Sequence, residues 1–475
     1  MKVAQIERNV MNKHVVEQTV IFFSVSKWLF LSSVVGIMIG GLMSLFLNIL
    51  STAEATRGTL PFPFYFTLPF ALMLTTWIVQ TFDKNATGHG TEKVIEAVHK
   101  RDGYINAKVI PVKLVATVLT IFSGGSVGKE GPGAQIGAGA ASFVATLLKF
   151  SKSDRKKLVI CGISAGFASV FGTPIAGAIF GIEVLIIGVI MYDVLLPSFI
   201  AGFVAFTTAQ FLGVSYHYYD INMYRAFNLD FSLIMQVVLA GVFFGVVSDL
   251  FITVVNKVEM WIKNIPYNRY LKAFVAGVVM VVISYFLSEN YLGLGLGTIR
   301  DALSPNTLIS DNVHWYDFIF KTLFTSMTLA SGGSGGIITP VFYVGATSGV
   351  VFGHITGDHI ALFAALGFVS VLAGTTNSPI ASIIMAVELF GVHMANYAAL
   401  SVVIAFLITG HRSVFGSQKL ALNKADNITI KEGSDVEDTS ISIDMRDIDK
   451  VKRLKNRLRY KQLRWQVKNA KQDEH

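Results

Sequence analysis

The sequence predicts an all-α polytopic membrane protein made of two related halves whose transmembrane helices are broken near the middle of the bilayer. Three observations predict it: apolar runs long enough to cross a bilayer, glycine and proline clusters that interrupt those runs, and the recurrence of the clusters at a fixed separation.

The apolar runs come first. Of 475 residues, 52% are hydrophobic and 15% charged, with a mean hydropathy of +0.57, whereas soluble domains carry about 25% charged residues. A spanning helix needs about 20 mostly apolar residues. Trp28 to Leu50 supplies one such run, and others lie at 64–81, 109–122, 159–185, 188–213, 232–256, 271–288 and through most of 315–408. A soluble enzyme has no use for that much continuous apolar sequence. The segment 1–27 stays polar until about Ser24 and lacks a charged-then-apolar leader, so it is expected to remain cytoplasmic. Residues 28–422 form the expected membrane domain. Beyond them, Lys431 to Ser440 reads as a solvated linker, and 423–475 as a charged cytoplasmic tail. The polar stretches 213–230 and 289–314 read as loops, and Trp28, Trp261 and Trp315 as interfacial anchors.

The formal charge of +8 does not point to nucleic acid, because the cations gather at membrane edges. Lys149, Lys152, Arg155, Lys156 and Lys157 share one short loop, and a second basic stretch runs from Lys450 to Lys471. The positive-inside rule puts both on the cytoplasmic side of a plasma (inner) membrane, with acidic lipid as neighbour. The lone Cys161 excludes an internal disulfide or a cysteine metal site.

The interruptions lie at Ser123 to Pro132, Gly172 to Pro174, Ser331 to Pro340 and Gly374 to Pro379. Non-helical backbone at membrane depth is tolerated only where it is buried in protein or lines a hydrophilic cavity. The interruptions also repeat. Ser123-Gly-Gly-Ser-Val-Gly-Lys-Glu-Gly-Pro132 matches Ser331-Gly-Gly-Ser-Gly-Gly-Ile-Ile-Thr-Pro340 at one separation (331 − 123 = 340 − 132 = 208). Thr173-Pro-Ile-Ala-Gly-Ala-Ile-Phe-Gly-Ile-Glu183 matches Ser378-Pro-Ile-Ala-Ser-Ile-Ile-Met-Ala-Val-Glu388 in the same order. Duplicated bundles with interrupted helices in corresponding positions build midplane binding sites at the repeat interface. Identity alone does not say whether the halves are inverted or parallel.

Gly128-Lys129-Glu130-Gly131-Pro132 places charge inside such a break, which costs about 2.5–3.5 kcal/mol per ion even on the mildest scale. Pro132 suits the first turn of a helix, whose free N–H groups and positive dipole end attract an anion. Glu130 can occupy the anion's place with its own carboxylate, which makes it the candidate gate. The bland alternative is a structural pair with Lys129. The second copy puts Ile338 where the first has Glu130, and the amides of Ile337 and Ile338 can hold an anion without a full positive charge. A purely structural alternative is that the glycines only let helices pack closely. Gly88-His89-Gly90 reads as a turn entering another helix, with His89 able to donate to an anion or hold a proton. Gly125 to Glu130 falls short of a phosphate-binding loop, since Ser123 stands where the first glycine belongs and Glu130 where Ser or Thr would hold magnesium. No zinc, dinucleotide or nucleophile motif occurs, so neither an enzyme, a cofactor nor a metal is expected.

With these residues assembled, the chain resembles the CLC family of chloride channels and proton/chloride exchangers over roughly Trp28 to Leu422. The most specific elements are Gly-Lys-Glu-Gly-Pro at 128–132, Gly-Gly-Ile-Ile-Thr-Pro at 335–340 and Gly-His-Arg-Ser-Val-Phe at 410–415. The resemblance implies an α-helical homodimer with one chloride pore per subunit between two inverted halves. It further implies that Glu130 gates the pore, and that Gly128, Lys129, Gly131, Gly336, Ile337, Ile338 and Thr339 surround the anion. The large regulatory pair that follows many family pores is not found, which implies a minimal bacterial type.

Three departures bear on mechanism. The family's first loop reads Gly-Ser-Gly-Ile-Pro, whereas this chain has Gly88-His-Gly-Thr-Glu92, so His89 replaces a chloride-binding serine. Phe415 replaces the pore tyrosine. Val184 stands where exchangers carry an inner glutamate, leaving Glu183 or His89 as substitute proton stations. The resemblance therefore leans to a passive, voltage-gated type of chloride channel gated by Glu130, with a proton/chloride antiporter as the alternative. A fluoride exporter is the further alternative, suggested by Thr339-Pro340 and the altered first loop, although the fluoride branch shows glutamate at the position of Ile337.

Overall fold

The computed structural model describes residues 2–216, 218, 231–304, 306, 310, 312–357, 359–439 and 441–443. Sixteen α-helices lie among them, eight in each half. The first half holds α1 (Lys2–Thr56), α2 (Leu68–Phe82), α3 (Thr91–Lys100), α4 (Val109–Phe122), α5 (Glu130–Leu147), α6 (Lys152–Phe171), α7 (Pro174–Glu183) and α8 (Tyr192–Phe211). The second holds α9 (Phe231–Asn264), α10 (Arg269–Phe286), α11 (Leu296–Ala302), α12 (Asp317–Ala330), α13 (Ile338–Thr356), α14 (Ile360–Thr376), α15 (Pro379–Phe390) and α16 (Ala395–Ile408). Six helical stretches, Lys13–Thr59, Phe64–Phe82, Tyr192–Phe211, Phe231–Asn264, Arg269–Phe286 and Ile338–Thr356, are long and apolar enough to cross a bilayer.

The breaks follow local chemistry. The α6 helix ends at Gly172 in the left-handed region (φ 75°), and Pro174 then opens α7. Its counterpart α14 ends at Asn377 (φ 55°), and Pro379 opens α15. A left-handed residue releases the helix, and proline at the first turn starts the next one without losing a bonded N–H.

The orientation of the halves is legible in α7 and α15. Glu183, at the end of α7, accepts hydrogen bonds from the Ile380 and Ala381 amides at the start of α15 (3.0 and 2.8 Å). Glu388, near the end of α15, accepts from the Ile175 and Ala176 amides at the start of α7 (3.0 and 2.8 Å). Equivalent helices therefore run antiparallel, and the two halves are inverted.

Glycine also serves packing away from the breaks. The backbones of α5 and α6 touch at Gly133/Gly166 and Gly137/Gly162, and those of α13 and α14 at Gly345/Gly367, where a Cβ would collide with a carbonyl oxygen of the facing helix. Small residues at such crossings let helices approach closely in lipid. Cys161 is buried on α6.

Three expectations need correction, and a fourth falls largely outside the described residues. The amino-terminal segment is not a separate polar stretch but runs without a break into the first apolar run as the single helix α1, and Val15, Val16, Val20, Ile21, Phe22 and Phe23 make it apolar before Ser24. The presumed loop 289–314 contains a 3₁₀ turn at Glu289–Tyr291 and the helix α11. Of the presumed loop 213–230, residues 217 and 219–230 lie outside those described. Residues 423–439 and 441–443, read as linker and tail, are folded: Ile428–Thr429 pairs with Ser442–Ile443, and Ile186–Ile187 pairs with Lys419–Leu420. Ile430 packs with Ile187, Phe406 and Leu420 beneath this strap. Residues 444–475 lie outside those described.

Candidate functional site

The two sister breaks meet. The Gly128 amide donates to the Gly336 carbonyl at 2.6 Å, and the Gly336 amide donates to the Gly128 carbonyl at 2.5 Å. Only glycine permits this approach, since a Cβ on Gly336 would stand 2.7 Å from the Gly131 nitrogen. Each break is braced by a hydroxyl from the other half. The Ser126 amide donates to Thr328 Oγ1, and the Ser334 amide to Thr120 Oγ1, both at 3.1 Å. Backbone that leaves a helix inside the membrane is thereby satisfied by protein.

Glu130 opens α5 and is buried. Its Oε2 accepts from the Thr339 amide at 3.1 Å and from the Thr339 hydroxyl at 2.5 Å. Thr339 lies in the first turn of α13, so a carboxylate of one half caps the positive end of a helix in the other. Ile337 and Ile338, whose amides are expected to hold an anion, directly precede the residue that receives Glu130. Both side chains are buried, and the donor pair comes from Thr339 because its hydroxyl adds to its amide. Lys129 is half-buried and forms no ion pair with Glu130, whose carboxylate bonds to Thr339.

The first loop closes on the same place. A Cβ on Gly90 would stand 2.6 Å from the Gly131 carbonyl oxygen, so Gly88-His89-Gly90 abuts the start of α5. The His89 ring lies 5.5 Å from that of Phe415, which is itself fully buried. His89 Nδ1 is shielded from solvent and has no hydrogen-bond partner. The loop is tied to the segment after α16 through Glu92, whose Oε1 accepts from the Ser417 amide (2.9 Å) and hydroxyl. Four chain segments, 88–92, 128–131, 336–339 and 413–417, thus converge, and all the anticipated pore residues lie on them.

Glu183 forms its hydrogen bonds outside these segments. Its two oxygens are both occupied as the α15 cap described above. The next residue, Val184, is buried, and its carbonyl accepts from Gln418 Nε2 at 2.9 Å.

Two buried lysines escaped the sequence reading. Lys113 on α4 donates from Nζ to the carbonyls of Ala86 (3.1 Å) and Gly88 (2.6 Å), holding the first loop. Lys321 on α12 donates to Tyr291 (3.1 Å) and Gly293 (2.8 Å), holding the equivalent loop of the other half. The signal was present, because a lysine inside each of two apolar runs recurs at the repeat separation (321 − 113 = 208). Glu92 also escaped the list of candidate site residues.

A family model described as voltage gated chloride channel matches residues 71–410. A Pseudomonas syringae pv. tomato protein described as a chloride/fluoride channel protein is 33% identical over 407 residues, covering 84% of this chain and 88% of that one. The crystal structure of a CLC-type fluoride/proton antiporter superposes with a TM-score of 0.79 at 29% identity, covering 84% of this chain and 99% of that one. A slow cyanobacterial chloride/proton antiporter shares the fold, with a TM-score of 0.68 at 19% identity over 80% of this chain and 94% of that one.

Proposed function

The chain belongs to the voltage gated chloride channel (CLC) family of integral membrane anion transporters and channels, and from that membership we propose that it is a proton-coupled anion antiporter whose anion is fluoride. This replaces the passive chloride channel favoured by the sequence, because the structural neighbour at 29% identity is described as a fluoride/proton antiporter. The observation that carries the proposal is the carboxylate of Glu130 seated on the Thr339 amide and hydroxyl. A carboxylate oxygen and a fluoride ion are both small, hard acceptors, so a donor pair that holds one suits the other. Proton and anion compete for one event. Protonation weakens the hold of Thr339 on Glu130, the side chain leaves, and the anion takes the vacated donors.

Fluoride is further supported by the chloride/fluoride relative and the fluoride/proton antiporter named above. The apolar Ile337 supports chloride/proton antiport as the second reading. A homodimer with one pore per subunit belongs to the same proposal, as do an inner-membrane location and cytoplasmic placement of the Lys149–Lys157 loop and both termini.

The test is reconstitution in liposomes with fluoride, chloride and proton electrodes. The expected outcome is uphill proton movement driven by a fluoride gradient, with E130Q losing the coupling. Collapse of the anion gradient without proton movement by the unaltered protein would restore the passive channel.

A further inference from the structure

We propose that Glu92 is the proton acceptor on the cytoplasmic side of this transporter, serving in place of a glutamate at position 184. The inference rests on the antiport reading above. Under that reading protons also reach Glu130 from the opposite solution, and a second titratable group near the site would serve their entry. Residue 184 cannot be that group, because it is a buried valine.

Among the carboxylates near the inner ends of these segments, Glu183 is poorly suited, since each oxygen already accepts from a backbone amide. Two such bonds fix both oxygens as a helix cap and leave neither free to turn toward a proton donor. Glu92 is built differently. One oxygen, Oε1, takes both donors of Ser417, while Oε2 is shielded from solvent and has no hydrogen-bond partner. A buried carboxylate oxygen without a donor is costly when charged and is relieved by a proton. The residue as a whole is only half-buried, in the first turn of α3, so part of its side chain already meets solvent.

Its position links it to the pore on two sides. Glu92 stands one helical turn beyond His89, whose Nδ1 is likewise shielded and unpartnered. Ser417 lies two residues beyond Phe415, and the next residue, Gln418, is the one that holds the Val184 carbonyl. Glu92 thus reaches the same wall as residue 184, from the opposite element. The charged groups facing it are Lys93 on its own helix, which favours the anion, and Glu437 on the strap, which favours the proton. In the proposed step a proton leaves cytoplasmic water, an O–H bond forms at Oε2, and the same proton later leaves Oε2 toward the Glu130 gate. No electrons are exchanged.

The experiment measures proton and anion flux together in liposomes for the unaltered protein, E92Q, E92D and S417A. E92Q is expected to lower the proton-to-anion ratio by about tenfold or more, with E92D restoring most of it. S417A removes the brace but keeps the carboxylate, and is expected to preserve the ratio. An unchanged ratio in E92Q overturns the assignment, as does an equal fall in S417A, which would make Glu92 a brace only. If the unaltered protein moves no protons, the antiport reading itself fails, and that outcome is recognisable before any variant is made.

Discussion

At the scale of single residues, Thr339 supplies two donors to one oxygen, and they are separable. T339V keeps the amide and removes the hydroxyl, a hydrogen bond to a charged acceptor worth about 1.5–3 kcal/mol. Apparent fluoride affinity in the flux assay is therefore expected to fall roughly tenfold, with a smaller effect on chloride, a weaker acceptor. Equal affinities in T339V and the unaltered protein would leave the amide as the only ligand. Residue identity also explains what the sequence left open here. Glu130 announced itself as a charge in a membrane-depth break, but its partner lies 209 positions away (339 − 130) and no local pattern names it.

At the scale of elements, the strap after α16 shows how charge holds a segment that composition marked as solvated. Asp435 is buried between Lys419 and Lys100, with ion pairs of 2.8 and 3.0 Å. Burial by itself would raise its pKa, but the two ammonium groups outweigh it and hold the carboxyl below the usual aspartate value. A depressed pKa means that the stabilisation is present above the ordinary aspartate range and is lost as pH falls through the lower folded value. Acidification to that range is expected to loosen residues 416–439, read as faster amide exchange, and D435N is expected to do the same at neutral pH. Exchange in D435N matching the unaltered protein would assign the strap to Ile430 and its apolar neighbours instead. The sequence reading missed this element because Lys431 to Thr439 is polar, and its few apolar anchors find their partners on α16 and on the chain after α7.

At the scale of the whole molecule, inverted repetition gives pairs of residues with matching structural duties and unequal functional ones. Lys113 and Lys321 each satisfy two buried carbonyls. Removing either donor leaves acceptors unpaired at about 1–3 kcal/mol each, so K113M and K321M are expected to lower the unfolding temperature in detergent to a similar degree. Their transport is expected to differ. Lys113 positions the loop that abuts Gly131 and carries His89, so K113M should depress anion flux more than K321M, and equal flux would contradict that division. The same unequal use of symmetric parts appears at the breaks, where Glu130 has Ile338 as its counterpart.

By itself the sequence determined the helical membrane class, the duplication, the four breaks and the carboxylate inside the first of them, because each is written in local composition or in recurrence at a fixed spacing. Only the tertiary structure decided that the halves are inverted, that Gly128 and Gly336 bond to each other, and that Thr339 receives Glu130. It also decided that Glu183 is a helix cap, while Glu92 keeps an oxygen without a partner. The physical reason is that apolar length and helix breaking are properties of neighbouring residues, whereas the partner of a buried polar atom is set by which distant backbone comes within 3 Å of it.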